Sequence, residues 1–154
     1  MPARFVIEAR PYEHPDTAAM VEAIQHYYVD LYGGVDADST EAAEFTAPDG
    51  LFLVGYLDGE PVASGGWRRR ADGSVEVKRM FVLDHARGHG YARDILRALE
   101  DTARAAGADR VVLNTGYRQP GAMRFYEANG YAPTHERFGH YEAIEGAYFF
   151  AKSL

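Results

Sequence analysis

Apolar and polar residues alternate at Phe5, Ile7 and Ala9, which predicts a first strand over residues 4–10. Pro15-Asp16-Thr17 then opens a helix whose apolar stripe is Val21, Ile24, Tyr28 and Leu31, and Gly33-Gly34 ends it. Residues 35–50 read as a loop or short helix. Leu51 to Leu57 and Pro61 to Arg70 flank an Asp58-Gly59 turn, the pattern of a β-hairpin, and a further strand follows Gly73, so three strands in series are expected to be antiparallel. Inside the last of these the apolar positions change phase, from Val75 and Val77 to Met80 and Val82. A β-bulge produces such a shift; a Met80 on the outer face, or a strand buried on both faces, would give the same pattern. Tyr91, Ile95, Leu99 and Thr102 mark a helix that stops at Gly107, and Val111 to Leu113 a short buried strand, which together imply a parallel β–α–β crossover. A final helix over Pro120 to Asn129 ends at Gly130, and Tyr131 to Glu136 and Tyr148 to Lys152 supply the last strands.

Length and composition narrow the class. The 154 residues suit a single domain, 1–154, and a hydrophobic content of 47% is enough for a packed core. Absence of cysteine excludes disulfides, thiolate metal sites and a cysteine nucleophile. The N-terminal MPARFVIEARPYEH has no apolar run and no stretch reaches membrane-spanning length, so a cytoplasmic protein that engages no membrane is expected. The six histidines show no ligand spacing and predict no metal, and no serine has a Gly-x-Ser-x-Gly context.

A net charge of −7 argues against nucleic acid as a partner. The charge is uneven, however. Residues 68–97 hold eight basic and four acidic side chains, whereas 35–50 hold Asp36, Asp38, Glu41, Glu44 and Asp49 and no basic one. The basic segment coincides with Arg87-Gly88-His89-Gly90-Tyr91-Ala92, a glycine-rich turn between a strand and a helix. The first N–H groups of a helix have no partner and the helix dipole is positive there, so the turn is suited to a phosphate-bearing ligand. It is a weak match to a dinucleotide fingerprint, because Arg93 stands where the third glycine belongs, and a worse one to a P-loop, since no Gly-Lys-Ser or Gly-Lys-Thr occurs.

Arg87-x-x-Gly90-x-Ala92 has the Arg/Gln-x-x-Gly-x-Gly/Ala form of the pyrophosphate loop of the GNAT acyltransferase superfamily, and the resemblance extends over about residues 50–154. Glu76 to Val82 looks like that family's central bulged strand, and Leu113-Asn114-Thr115-Gly116 like the strand end splayed from it. Gln119 to Tyr131 is similar to its Asn-x-x-Ala-x-x-x-Tyr-x-x-x-Gly-Tyr segment, with Gln119 where many members have Asn, and Phe138-Gly139-His140-Tyr141 looks like the tail of one bacterial branch. The resemblance implies an α/β (α+β) GNAT fold: a mixed, mostly antiparallel sheet of six to seven strands with a bulged, splayed fourth strand and flanking helices.

It also implies an acetyl-CoA-dependent N-acetyltransferase that acts on a primary amine of a small molecule or peptide by direct attack in a ternary complex. Such an amine, with a pKa of about 10.4, carries a handicap of about 4.6 kcal/mol at neutral pH, which a base must lift. Glu76 is the candidate base, commonly through ordered water, and Tyr126 matches the family's tyrosine acid for the departing thiolate; an exposed strand glutamate and a packing tyrosine are the plainer readings of the two residues. Met80, Phe81 and Val82 would face the pantetheine arm and supply an N–H donor for the thioester oxygen. Arg87, Gly88, His89, Gly90, Tyr91 and Ala92 would hold the diphosphate, Arg93 or Arg97 would reach the ribose phosphate, and Asn114 and Gln119 complete the cofactor contacts. The acidic loop suggests a cationic acceptor or, equally, a solvated surface. A module that senses acyl-CoA without catalysis is the rival reading, and a nicotinamide-dependent oxidoreductase a weaker one. The aromatic C-terminal strands fit either a core or a dimer interface, hence a monomer or homodimer.

Overall fold

The Asp58-Gly59 turn joins strand β2 (Gly50–Leu57) to β3 (Glu60–Arg69) as an antiparallel hairpin, with β1 (Phe5–Ala9) on one flank and β4 (Val75–Val82) on the other. In this computed structural model, which describes residues 3–154, β5 (Arg110–Gly116), β7 (Ala147–Ser153) and β6 (Ala132–Pro133) complete one sheet in the order β1-β2-β3-β4-β5-β7-β6. Only β4 and β5 run parallel, joined by helix α2 (Tyr91–Ala105). The expected mixed, mostly antiparallel sheet is therefore observed, with helices α1 (Pro15–Tyr32) and α3 (Pro120–Ala128) beside it.

Helix α1 begins where Pro15 supplies a pre-set φ and needs no N–H partner. His14 Nδ1 accepts the Asp16 N–H at 3.0 Å, and Gly33, at φ +80°, returns its N–H to the Val29 carbonyl at 2.8 Å. Its buried residues are Thr17, Met20 and Ile24, so the inward stripe runs through Met20 and not through the expected Val21. The expected strand over 131–136 shrinks to Ala132–Pro133, since Pro133 has no N–H to offer a ladder.

The phase change in β4 is a bulge. Ser64 pairs with Phe81 and Gly66 with Lys78, so the single residue Gly65 faces both Arg79 and Met80. Arg79 takes φ +61°, a left-handed conformation that costs a non-glycine residue about 1–2 kcal/mol. On the other side β4 pairs with β5 only at Val75–Val111 and Glu76–Val112; beyond these pairs the two strands diverge and open a fork.

One face of the sheet buries Val62, Val75, Val77, Val111 and Leu113 beneath Ile95, Leu96, Leu99 and Ala103 of α2. Each such aliphatic side chain contributes about 1.5–3 kcal/mol by leaving water. The opposite face packs Phe52 and Val54 against Met20 and against Phe45 of a 3₁₀ turn, Ala42–Phe45. Phe149 and Phe150 are buried, so the C-terminal aromatic strand covers a core.

Gly66 makes that second layer possible. A Cβ there would lie 2.6 Å from Phe52 Cδ2, 2.9 Å from Phe45 Cδ1 and 3.0 Å from the Leu51 carbonyl oxygen. The two rings are themselves buried and edge-on to each other, 5.9 Å between centroids, and have little room to yield. Gly66→Ala is therefore expected to lower stability by about 1–3 kcal/mol in urea unfolding, the usual cost of overpacking. An unchanged midpoint would show that the layer relaxes freely.

Candidate active site

Two cavities flank the fork. The first, about 540 Å³, is lined by Val82, Ala86, Arg87, Gly88, His89, Gly90, Tyr91, Ala92, Arg93, Phe125 and Asn129. All six residues of the glycine turn named from the sequence therefore lie on one cavity. Gly88 and Gly90 both adopt φ +83°, which glycine reaches without strain. A Cβ at Gly88 would project into open space, and one at Gly90 would meet nothing nearer than an Arg93 nitrogen at 3.9 Å. No side chain caps the start of α2, so its first N–H groups face this hollow together with Arg87 and Arg93. The donor set and the bare backbone fit a diphosphate. Phe125 and Asn129, which no turn motif indicated, form the far wall.

Arg87 is already oriented. Its guanidinium lies 5.4 Å from the ring centres of both Tyr27 and Phe81, and Nε donates to the Val82 carbonyl at 3.0 Å. Because the Leu83 N–H donates to Val62 across the β3 side at 2.8 Å, the adjacent Val82 peptide groups face the other way, into the fork.

The second cavity, about 290 Å³, lies at the open end of β5, where Asn114, Thr115, Gly116 and Gln119 meet Tyr28, Tyr32 and Asp36 on one side and Tyr141 to Ala147 on the other. Asn114 and Gln119 line this cavity and not the hollow at the glycine turn. Gln119 precedes the first turn of α3 and its Oε1 accepts the Gly116 N–H at 3.5 Å. The buried Thr115 Oγ1 has no hydrogen-bond partner within the protein.

Beside the second cavity, which Asp36 and Tyr141 line, lies a buried charge network that the sequence did not disclose. Asp36 Oδ2 accepts from Arg79 Nη1 at 2.8 Å and Lys78 Nζ at 3.3 Å, while Oδ1 accepts from the Tyr141 hydroxyl and the Asp38 N–H. Arg68 pairs with Asp38 at 2.9 Å, Glu76 at 3.0 Å and Glu44 at 3.2 Å. Two expectations are corrected here. Arg68, Lys78 and Arg79 do not gather at the glycine turn: Arg68 and Lys78 share one face of the sheet, and the bulge adds Arg79 to it. Nor are Asp36, Asp38 and Glu44 free to attract a cation, since they neutralise those three bases. Burial pushes the Asp36 carboxyl up, but Lys78, the Tyr141 hydroxyl, the Asp38 N–H and Arg79 together hold it below the ordinary carboxylate value.

Glu76 is 5% exposed and sits at the last β4–β5 pair, with Oε1 on Arg68 Nε and Oε2 buried without a protein partner. It lines neither cavity directly. Tyr126 is 7% exposed and packs edge-on against Phe125 and Tyr131, at 5.2 and 5.6 Å. Tyr131 is in turn fixed by its hydroxyl, which donates to Glu100 Oε2 at 2.8 Å, and Glu100 is held by Lys152 Nζ at 3.1 Å. Among the described residues no group of His, Asp or Glu side chains could hold a metal ion, and no helix is long and apolar enough to cross a membrane.

Burial pushes the phenols of Tyr28, Tyr126, Tyr131 and Tyr141 well above the ordinary tyrosine value, with negative neighbours adding to it at Tyr28 (Asp36), Tyr131 (Glu100) and Tyr141 (Asp36). A phenol that binds its proton more tightly when folded contributes stability below the unfolded value of about 10 and loses it as pH rises past that point. Phenolate absorbance is thus expected to rise in two steps, exposed tyrosines first and these four only as the chain unfolds; a single titration complete in the folded state would contradict the burial.

Comparisons with known proteins place the chain in a family and match its fold. The model of the acetyltransferase (GNAT) family matches residues 17–131. An IAA acetyltransferase of Azospirillum brasilense is 35% identical over 114 residues, 73% of this chain and 74% of that one. The structure of a Klebsiella pneumoniae protein assigned as an acyl-CoA N-acyltransferase superimposes with a TM-score of 0.82 at 23% identity and 97% coverage of both chains. N-acetylglutamate synthase of Neisseria gonorrhoeae, solved with coenzyme A and N-acetyl-glutamate, gives 0.74 at 16% identity over 97% of this chain and 35% of that one.

Proposed function

From the premise that the chain belongs to the acetyltransferase (GNAT) family and is an acyltransferase, we propose that it moves an acetyl group from acetyl-CoA to a primary amine by direct attack, with no acyl-enzyme. The observation that carries this reading is the pairing of a bare, glycine-lined helix start with a fork in the sheet whose β4 edge leaves the Val82 peptide groups unpaired by strand. The hollow takes the diphosphate through the first N–H groups of α2, Arg87 and Arg93. Met80, Phe81 and Val82 offer the β4 edge to the amide-bearing pantetheine arm, which competes with Arg87 for the Val82 carbonyl. The acyl end then reaches the second cavity, where the side chains of Asn114 and Gln119 are available to the acceptor.

Tyr126 serves as the acid in this scheme. Its burial keeps the phenol protonated throughout the neutral range, so it gives up a proton only as charge develops on the departing sulfur. Glu76 serves as the base. Enclosed as it is, it acts through water, by its free Oε2, while Arg68 holds Oε1. Tyr126→Phe and Glu76→Gln are each expected to lower kcat by about ten- to a thousandfold, the span of general acid–base assistance, with the KM for acetyl-CoA little changed. Near wild-type turnover in both variants at every pH would overturn the two roles.

Arg87→Ala removes one charge-assisted contact to the diphosphate, worth about 1.5–3 kcal/mol, and should raise the KM for acetyl-CoA about ten- to a hundredfold. A thiol-release assay at varied acetyl-CoA measures it. Catalytic assignment itself rests on the same readout: calorimetric binding of coenzyme A without acyl transfer to any amine would favour a sensing module.

A further inference from the structure

Of the six large hydrophobic side chains left exposed among the described residues, four (Tyr32, Val35, Tyr117 and Ile144) rim the second cavity. Clustered exposed apolar surface marks a binding site where scattered residues would not. Tyr28 and Tyr141 add two further rings, so aromatic faces meet the cavity from α1, from the end of β5 and from the 141–147 segment. Its charged members are Asp36 and Glu145, with no lysine, arginine or histidine on its walls. Asp36 is saturated by Arg79, Lys78, the Tyr141 hydroxyl and the Asp38 N–H, and has no lone pair to spare for a ligand ammonium. A volume of about 290 Å³ lies at the lower end of small-molecule sites, enough for one ring system and too small for a folded peptide segment.

Taking the acyltransferase reading as its basis, we propose that the acceptor is an arylalkylamine: a primary amine on a short chain attached to a flat aromatic body, without a carboxylate or phosphate. The ring stacks among Tyr28, Tyr32 and Tyr117, where aromatic pairs gain beyond simple burial, and the amine points down the cavity towards Asn114 at the fork. A carboxylate beside the amine would enter a cavity with no cation on its walls, Arg118 standing outside it on the Tyr117 hydroxyl and the Leu31 carbonyl, and would come near Glu145, so amino acids are poor acceptors. Polyamines, which need several free carboxylates, find only one, exposed, at the rim. During transfer the amine nitrogen forms its bond to the acetyl carbon as the bond to sulfur breaks; its proton passes through water to Glu76, the thiolate takes one from Tyr126, and the phenol is restored as Glu76 returns its proton through solvent.

Phenylethylamine and phenylalanine differ only in the carboxylate, which makes them the decisive pair. With acetyl-CoA and a thiol-release readout, phenylethylamine and tryptamine are expected to exceed phenylalanine, glutamate and spermidine in kcat/KM by at least about tenfold, roughly 1.4 kcal/mol. Ile144 is surface-exposed, so Ile144→Lys should fold and should narrow the gap between phenylethylamine and phenylalanine by supplying the missing cation. Tyr117→Ala should raise the KM for phenylethylamine several-fold while the KM for acetyl-CoA stays within about twofold. Equal or better use of phenylalanine or spermidine, or calorimetric binding of coenzyme A with no arylalkylamine acetylated, overturns the acceptor assignment and leaves the diphosphate hollow standing. Failure to bind coenzyme A at all would instead remove the acyltransferase reading and this inference with it.

Discussion

One surplus residue in β4 governs the shape of the site. Between Gly66 and Ser64 the strand β3 offers a single position, and β4 must accommodate both Arg79 and Met80 against it. The strand answers by turning Arg79 to φ +61°, and two consequences follow together. The edge that should continue pairing with β5 bends away, opening the fork where a thioester arm can lie, and Lys78 and Arg79 come to the same face instead of opposite ones. A backbone cost of about 1–2 kcal/mol at Arg79 is offset by the bond of its guanidinium to Asp36, at 2.8 Å, so the strained residue and the acidic loop hold each other in place.

That loop is the second element of the arrangement. Asp36, Asp38 and Glu44 reach across from the 35–45 segment to Lys78, Arg79 and Arg68. Desolvating so many charges leaves little net stability in such a network, but removing one partner strands another in the interior, and the segment therefore has a single position. Its position matters because Val35 and Asp36 form a wall of the second cavity, and because Tyr141 is tied to Asp36 from the far side. The cavity thus borrows its rigidity from ion pairs that contact no ligand.

Local signals were legible in the sequence and distant ones were not. The Asp58-Gly59 hairpin, the glycine that ends α1 and the glycine turn before α2 each depend on a few adjacent residues, and each stands where the pattern put it. The broken alternation from Val77 to Met80 was legible for the same reason: a period of two exposes one extra residue. Charge was misread because closeness along a strand is not closeness in space. Residues 68–97 are rich in arginine, yet only Arg87 and Arg93 of them line the hollow at the glycine turn, while the aspartate partners of Arg68, Lys78 and Arg79 lie some thirty to forty positions earlier in the chain. The second cavity had no single signature, since its walls come from residues 28–36, 114–119 and 141–147.

The one-residue shift of the buried stripe in α1 shows how packing settles what periodicity leaves open. Val21 and Met20 differ by about 100° around the helix, and either choice keeps Ile24 inside. Met20 wins because it fills the gap beside Phe45, Phe52 and Val54, where a long flexible side chain reaches and valine does not. Seven residues further on, the same face carries Tyr27, whose ring lies tilted against Phe81 and beneath Arg87. Its neighbour Tyr28 turns to the other side and lines the second cavity. Had Val21 led the stripe, Tyr28 would lie at its centre and Tyr27 would face water, leaving Arg87 without one of its two aromatic supports. Adjacent tyrosines on one turn of helix thus support the glycine-turn hollow, through Arg87, and the wall of the second cavity at once, and what sets them there is a methionine buried two turns away.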